Sequence, residues 1–148
     1  MRLTLYTDYS LRVLIYLGAK PVGERATVQE ISAAFHISKN HLTKVVHELG
    51  KAGYIETVRG RGGGIRLKLP PEQINVGMVV RQTEDDFQLV ECFNRESNQC
   101  VLAPACRLKG VLQEALHAYL RVLDDYTIAD FVENRQEIEQ LLFPGPLT

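Results

Sequence analysis

The stretch Ile37–Leu69, ISKNHLTKVVHELGKAGYIETVRGRGGGIRLKL, decides the fold. Ser38 is a good N-cap, and the helix it opens is predicted from Lys39 to about Ala52. Leu42, Val45, Val46 and Leu49 recur at helical spacing and form its buried face. The other face carries Lys39, Asn40, Thr43, Lys44 and His47, all polar or basic, and Gly53 stands where a C-terminal stop belongs. Tyr54–Val58 is β-branched and aromatic and is predicted as a strand. Arg59-Gly60-Arg61-Gly62-Gly63-Gly64 is too rich in glycine for a regular element, and Ile65–Leu69 alternates apolar and basic as a second strand.

Working outward towards the N-terminus, Thr27-Val28-Gln29-Glu30 is a capping box. It opens a helix whose core face is Val28, Ile31 and Phe35, and His36-Ile37-Ser38 makes a short turn into the next helix. A first helix is expected from Thr7, or one turn earlier, to Ala19, with Leu11, Leu14 and Ile15 as its apolar stripe. Asp8 and Arg12 stand at i and i+4 and are placed to pair. Helix, helix, turn, helix and a two-stranded wing, in that order, describe a winged helix-turn-helix. The fold class expected is mainly α with a small β-wing, extended by a long C-terminal dimerisation helix.

That order points to duplex DNA. Ser38, Lys39, Asn40 and Thr43 are the candidates at the major groove, with Arg59 and Arg61 in the wing on a flexible glycine loop. Lys44 and Lys51 are candidates for phosphates. A nucleotide-phosphate loop is a poorer account of the glycines, because such a loop leads into a helix and a strand follows here. Charge agrees. Residues 1–69 carry 11 Lys and Arg against 5 Asp and Glu, while residues 70–148 carry 6 against 13, although the whole chain of 148 residues is net −1. A basic half suits a polyanion and an acidic half faces away from one.

Beyond the wing, a short helix is expected over Val76–Thr83, followed by the acidic turn Glu84-Asp85-Asp86, to which no role is assigned. Leu108 to about Leu123 is predicted as the longest helix, with an apolar stripe wider than a small winged helix can bury, which suggests packing against its own copy. Thr127 is expected to cap a last helix from Ile128 to about Leu142, with Pro144-Gly145-Pro146 ending order. The units expected are residues 1–75 for DNA binding, 76–107 for a short helix and cysteine loop, and 108–148 for dimerisation and C-terminal helices. The longest apolar run, Val13–Ala19, is too short to cross a bilayer, so no membrane partner and a cytoplasmic location are expected.

All three cysteines, Cys92, Cys100 and Cys106, lie between those helices, spaced Cys-x7-Cys-x5-Cys in a segment without regular pattern. An odd number of thiols does not make a disulfide framework. Metal binding, thiol sensing and simple burial all fit the residues. The spacing is neither that of a zinc knuckle nor that of a ferredoxin. A four-iron cluster would need a fourth ligand from elsewhere, a His, Asp, Glu, water or small thiol, and a carboxylate oxygen there would be more labile than sulfur.

The stretches LTLYTDYSLRVLIYL, ISKNHLTKVV and VRGRGGGIRL, together with the cysteine spacing, resemble the winged-helix family of iron–sulfur transcription regulators over nearly the whole chain. YTDYSLRVL, TEDDF and ECF resemble its nitric-oxide-sensing branch. The resemblance implies a homodimer with one [4Fe–4S] cluster per subunit, bound by Cys92, Cys100 and Cys106 and by Asp8 of the partner subunit. It implies Arg12 as the group that pairs with Asp8 when no cluster is bound, nitric oxide as effector and a near-palindromic operator. A [2Fe–2S] cluster is the alternative. The branch that carries it uses a histidine three residues after the last cysteine, where this chain has Lys109. The family often has glutamate where Thr43 stands, so base contacts are not copied across. A thiol-oxidation or cluster-free regulator is the first rival reading, and an iron–sulfur electron-transfer module is the second. No acid/base pair or nucleophile constellation points to an enzyme.

Overall fold

A computed structural model describes residues 1–145. Helix α1, Leu5–Ala19, begins one turn before Thr7. Thr4 is its N-cap, and the Thr4 hydroxyl accepts from the Thr7 backbone N–H at 3.2 Å. Thr7 is itself fully buried. The Thr4 N–H and hydroxyl both donate to Glu84 Oε1, at 2.8 and 3.0 Å, so one carboxylate of the acidic turn anchors the start of α1 from 80 residues away. Val13, Leu14 and Leu17 sink into the core from one side of α1.

Helix α2, Val28–Phe35, has its capping box intact: Glu30 Oε2 accepts from Thr27 N at 2.5 Å and Thr27 Oγ1 accepts from Glu30 N at 3.2 Å. It ends at His36, whose φ of 55° and ψ of 39° lie in the left-handed region. His36 is the one non-glycine residue with positive φ among the described residues. That conformation costs an L-residue about 1–2 kcal/mol, and an exposed imidazole recovers little of it by packing. His36→Gly is therefore expected to stabilise the free protein by about 0.5–1 kcal/mol, once glycine's larger unfolded-state entropy is subtracted. A thermal melt without DNA that shows no rise in Tm would contradict this.

Helix α3, Lys39–Lys51, starts at Ser38, whose hydroxyl accepts from His41 N at 3.3 Å. Leu42, Val45, Val46 and Leu49 are its buried residues, as their spacing requires. Strands β1, Ile55–Val58, and β2, Gly64–Leu67, pair antiparallel from Ile55↔Leu67 to Val58↔Gly64. Each is one residue shorter than expected, and β2 starts at Gly64, which the sequence had placed in the turn, and stops at Leu67. Ala26, in the α1–α2 connection, forms an antiparallel bridge with Ile65 and adds a third edge to the wing.

Helix α4, Val76–Thr83, is capped by Asn75, and α5, Arg107–Asp124, is the longest helix. Leu116 and Leu120 of α5 are buried. The Arg81 guanidinium of α4 grips Asp124 at the end of α5, at 2.5 and 2.9 Å, and these hydrogen bonds hold the Asp124 carboxyl below its usual range. Gly77 leaves the room: a Cβ there would collide with the Asp124 carboxylate.

The expected single helix Ile128–Leu142 is two pieces, a 3₁₀ turn at Ile128–Phe131 and helix α6, Arg135–Leu142. The cause is tertiary. Thr127 is held extended by a bridge to Asn75, Ile128 N donates to Ile74 O at 2.9 Å, and the Ile128 side chain is fully buried. A chain pinned in this way turns tightly before α6 can start. Of the expected terminator Pro144-Gly145-Pro146, Pro146 lies outside the described residues.

Candidate nucleic-acid interface and cysteine loop

Every residue expected at DNA lies on the exposed side of its element. Ser38, Lys39, Asn40, Thr43 and Lys44 line the N-terminal half of α3, opposite its buried stripe, with Lys51 at its last turn. Two of them have their side chains engaged: the Thr43 hydroxyl donates to Lys39 O at 2.8 Å, and Lys51 Nζ lies 3.3 Å from Glu48. The Ser38 hydroxyl accepts from the helix and keeps its own proton for a phosphate or a base.

Arg59 and Arg61 are exposed at the wing tip. The tip is a formed turn and not the flexible loop expected from its glycines. Gly63 N donates to Gly60 O at 2.9 Å, and Gly60 and Gly62 have φ of 98° and 71°. A Cβ on Gly63 would lie 2.5 Å from Val58 O, so only glycine fits there.

Helix α1 lies against both helices of the reader. Asp8 and Arg12 form the expected pair, bidentate at 2.8 and 3.0 Å and part-exposed. The Arg12 guanidinium also sits 5.9 Å from the ring centroid of Phe35 in α2. Tyr9, next to Asp8, packs its ring 6.1 Å from the His41 ring in α3. A cavity of about 490 Å³ lies beside this contact, lined by Tyr6, Tyr9, His41, Lys44, Glu48 and Thr83 among others. Burial, reinforced by Glu48, pushes the Tyr6 phenol up. Spacing alone gave no signal for the contacts of Arg12 and Tyr9 with the reader.

The cysteine segment is irregular but not formless. A 3₁₀ turn covers Glu91–Phe93. The Asp86, Asn94 and Asn98 side chains accept from the backbone two residues on, and the Glu91 carboxylate accepts from Gln99 N across the loop. Cys92 and Cys106 are half-buried, Cys100 is exposed, and all three are free thiols. Cys106 is the N-cap residue of α5 and its sulfur makes no capping bond. Three uncommitted thiols on one loop suit soft iron in chemistry. Within one subunit they are not drawn together: among the described residues no three His, Cys, Asp or Glu side chains form a group able to hold a metal ion.

A family model described as "Rrf2: Iron-dependent Transcriptional regulator" matches residues 3–134. The chain is similar to the HTH-type transcriptional regulator NsrR of Shouchella clausii, with 60% identity across 96% of this chain and 95% of that one. It is 59% identical to NsrR of Bacillus subtilis across 96% and 97%. Among solved structures, oxidised CymR of Staphylococcus aureus superposes with a TM-score of 0.72 at 28% identity, covering 90% of this chain and 97% of that one. IscR of T. potens shares the fold, with a TM-score of 0.74 at 22% identity and coverage of 94% and 91%. Among the described residues no helix is long and apolar enough to cross a membrane. A winged helix with its basic face outward, a free three-cysteine loop and these matches across almost the whole chain lead to one statement: the protein belongs to the Rrf2 family of transcriptional regulators, which are not enzymes.

Proposed function

We propose that the protein is a nitric-oxide-responsive repressor. It acts as a homodimer with one [4Fe–4S] cluster per subunit, held by Cys92, Cys100 and Cys106 and by Asp8 of the partner subunit. The observation that carries this reading is the position of Asp8 on α1. Its carboxylate has a ready alternative partner in Arg12, one turn on, and the next residue, Tyr9, touches the recognition helix at His41. The relatives named HTH-type transcriptional regulator NsrR support the regulator, and the resemblance of YTDYSLRVL, TEDDF and ECF to the nitric-oxide-sensing branch supports nitric oxide as the signal. Leu108, Val111 and Val122, 61, 59 and 57% exposed along α5, support a second copy of the chain as its cover.

When bound, the cluster supplies iron sites that react with nitric oxide. The chain's own part is positional. Arg12 neutralises Asp8 whenever the carboxylate is free, and the pair competes with ligation of that carboxylate. Because α1 packs on α2 and α3, a change in its seating changes how α3 is presented to the groove. A two-state shift from mostly bound to mostly free needs about 5.5 kcal/mol of differential affinity. The cluster ligation and the Asp8–Arg12 pair together set that difference.

Operator binding by anaerobically purified protein, measured before and after nitric oxide, is the test. Binding that does not change rules the reading out. The thiol-oxidation reading rests on the same three free cysteines and predicts a colourless protein whose DNA binding responds to oxidant instead. In the wing, Arg59→Ala is expected to weaken operator binding about tenfold and to flatten its salt dependence by roughly one unit of slope. Unchanged affinity would remove the wing from the DNA interface.

A further inference from the structure

The wing is tied to the far end of α1. Arg25 Nη1 donates to Gly62 O at 2.9 Å, across 37 residues of sequence. Next to it, Ala26 and Ile65 exchange both backbone hydrogen bonds, at 2.9 and 2.7 Å. Gly64 has φ of 155°, and a Cβ on it would lie 2.7 Å from Ala26 O, so strand and connection touch as backbones. At the end of α1, a Cβ on Gly18 would stand 3.9 Å from Leu67 of β2. One helix therefore carries Asp8 near its start and the root of the wing at its end, ten residues and about 15 Å further on.

From these contacts we infer that Arg25 is a positioning residue for DNA recognition: its guanidinium latches the wing tip to the α1–α2 connection, so that Arg59 and Arg61 are set for the duplex and follow α1 when it moves. Arg25 serves the wing through the Gly62 carbonyl. A guanidinium fork suits that task, since one N–H holds the carbonyl while others remain available. The glycines on either side make the latch necessary. The turn Arg59–Gly64 holds four of them, and without a fixed carbonyl its backbone has many alternative conformations. The inference gives the reader two outputs from α1, one through Tyr9–His41 to the recognition helix and one through the Arg25 latch to the wing.

The inference rests on the wing meeting DNA, and the experiment separates the two claims. The probe is the consensus duplex that the wild-type full chain selects anaerobically from a random-sequence pool. Arg25→Ala, Arg25→Lys, the pair Arg59→Ala with Arg61→Ala, and the triple Ala variant are compared on it. Arg25 is part-exposed, so the variants are expected to fold, and amide exchange at Gly62–Gly64 reports the latch without DNA. Expected is about a tenfold loss for Arg25→Ala, partial rescue by Arg25→Lys, faster exchange at Gly62–Gly64, and no further loss on adding Arg25→Ala to the Arg59/Arg61 pair. If the pair itself costs nothing, the wing reading fails. If the pair costs affinity but Arg25→Ala costs none, or adds its full loss to theirs, the wing reading stands and the latch is overturned.

Discussion

Anaerobically purified wild-type protein is expected to be brown, and Cys106→Ala to be colourless under the same preparation. On the proposed reading, losing one of three thiolates would leave two sulfurs and Asp8 of the partner subunit to hold the cluster. Cys106 is half-buried at the start of α5 and makes no capping bond, so the change should leave the helix and the fold in place. The expected result is loss of nearly all visible absorption with an unchanged far-ultraviolet circular dichroism spectrum, and DNA binding that no longer responds to nitric oxide. Asp8→Ala sharpens the experiment. It keeps all three thiols and removes the oxygen expected from the partner subunit, so the colour should persist, with altered bands and faster bleaching, because a replaceable oxygen has been exchanged for solvent. A spectrum identical to wild type would take Asp8 out of the site. A fully coloured Cys106→Ala would take that cysteine out.

Leu14→Ala is expected to cost about 2–5 kcal/mol, lowering Tm by roughly 5–15 °C. Leu14 is fully buried at the middle of α1, and its neighbours in the core come from several elements, so the space it leaves cannot collapse easily. That is a large share of the stability typical of a domain of this size. The reason extends to function. α1 is anchored by Val13, Leu14 and Leu17, while Asp8 and Arg12 stand on its part-exposed side. A helix held in this way would move as a rigid body, as the proposed transmission from Asp8 to α3 and to the wing requires. A melt showing a loss under 1 kcal/mol would mean that α1 is not locked into the core, and the lever would fail with it.

Much of the reader was legible because its signals are local. A capping box spans four residues, an amphipathic stripe repeats every turn, and alternation shows in a five-residue strand. Thr27–Glu30, Ser38, Leu42–Leu49 and Gly53 each did what such signals dictate. The Asp8–Arg12 pair is one helical turn long and was equally readable. The elements that differed answer to distant partners. Ile128–Leu142 has helical periodicity, yet the bridge from Asn75 to Thr127 breaks it. Glu84 looked like one carboxylate of a solvated turn, yet it anchors Thr4, the N-cap of α1. The glycines of the wing read as freedom, whereas close backbone contacts make them necessities of a built turn.

The sequence by itself determined the winged helix-turn-helix, its basic outward face and the presence of three thiols on one loop. Each is a matter of spacing, capping or count, which the chain carries wherever it goes. Only the tertiary structure decided what α1 connects: Arg12 to Phe35, Tyr9 to His41, Gly18 to the wing root, and beyond it Arg25 to Gly62. Such contacts join residues remote in sequence through a carbonyl, a ring face or a close backbone, and none of these has a periodicity to read. The three thiols have a shared loop by sequence, and among the described residues one subunit by itself does not bring them together.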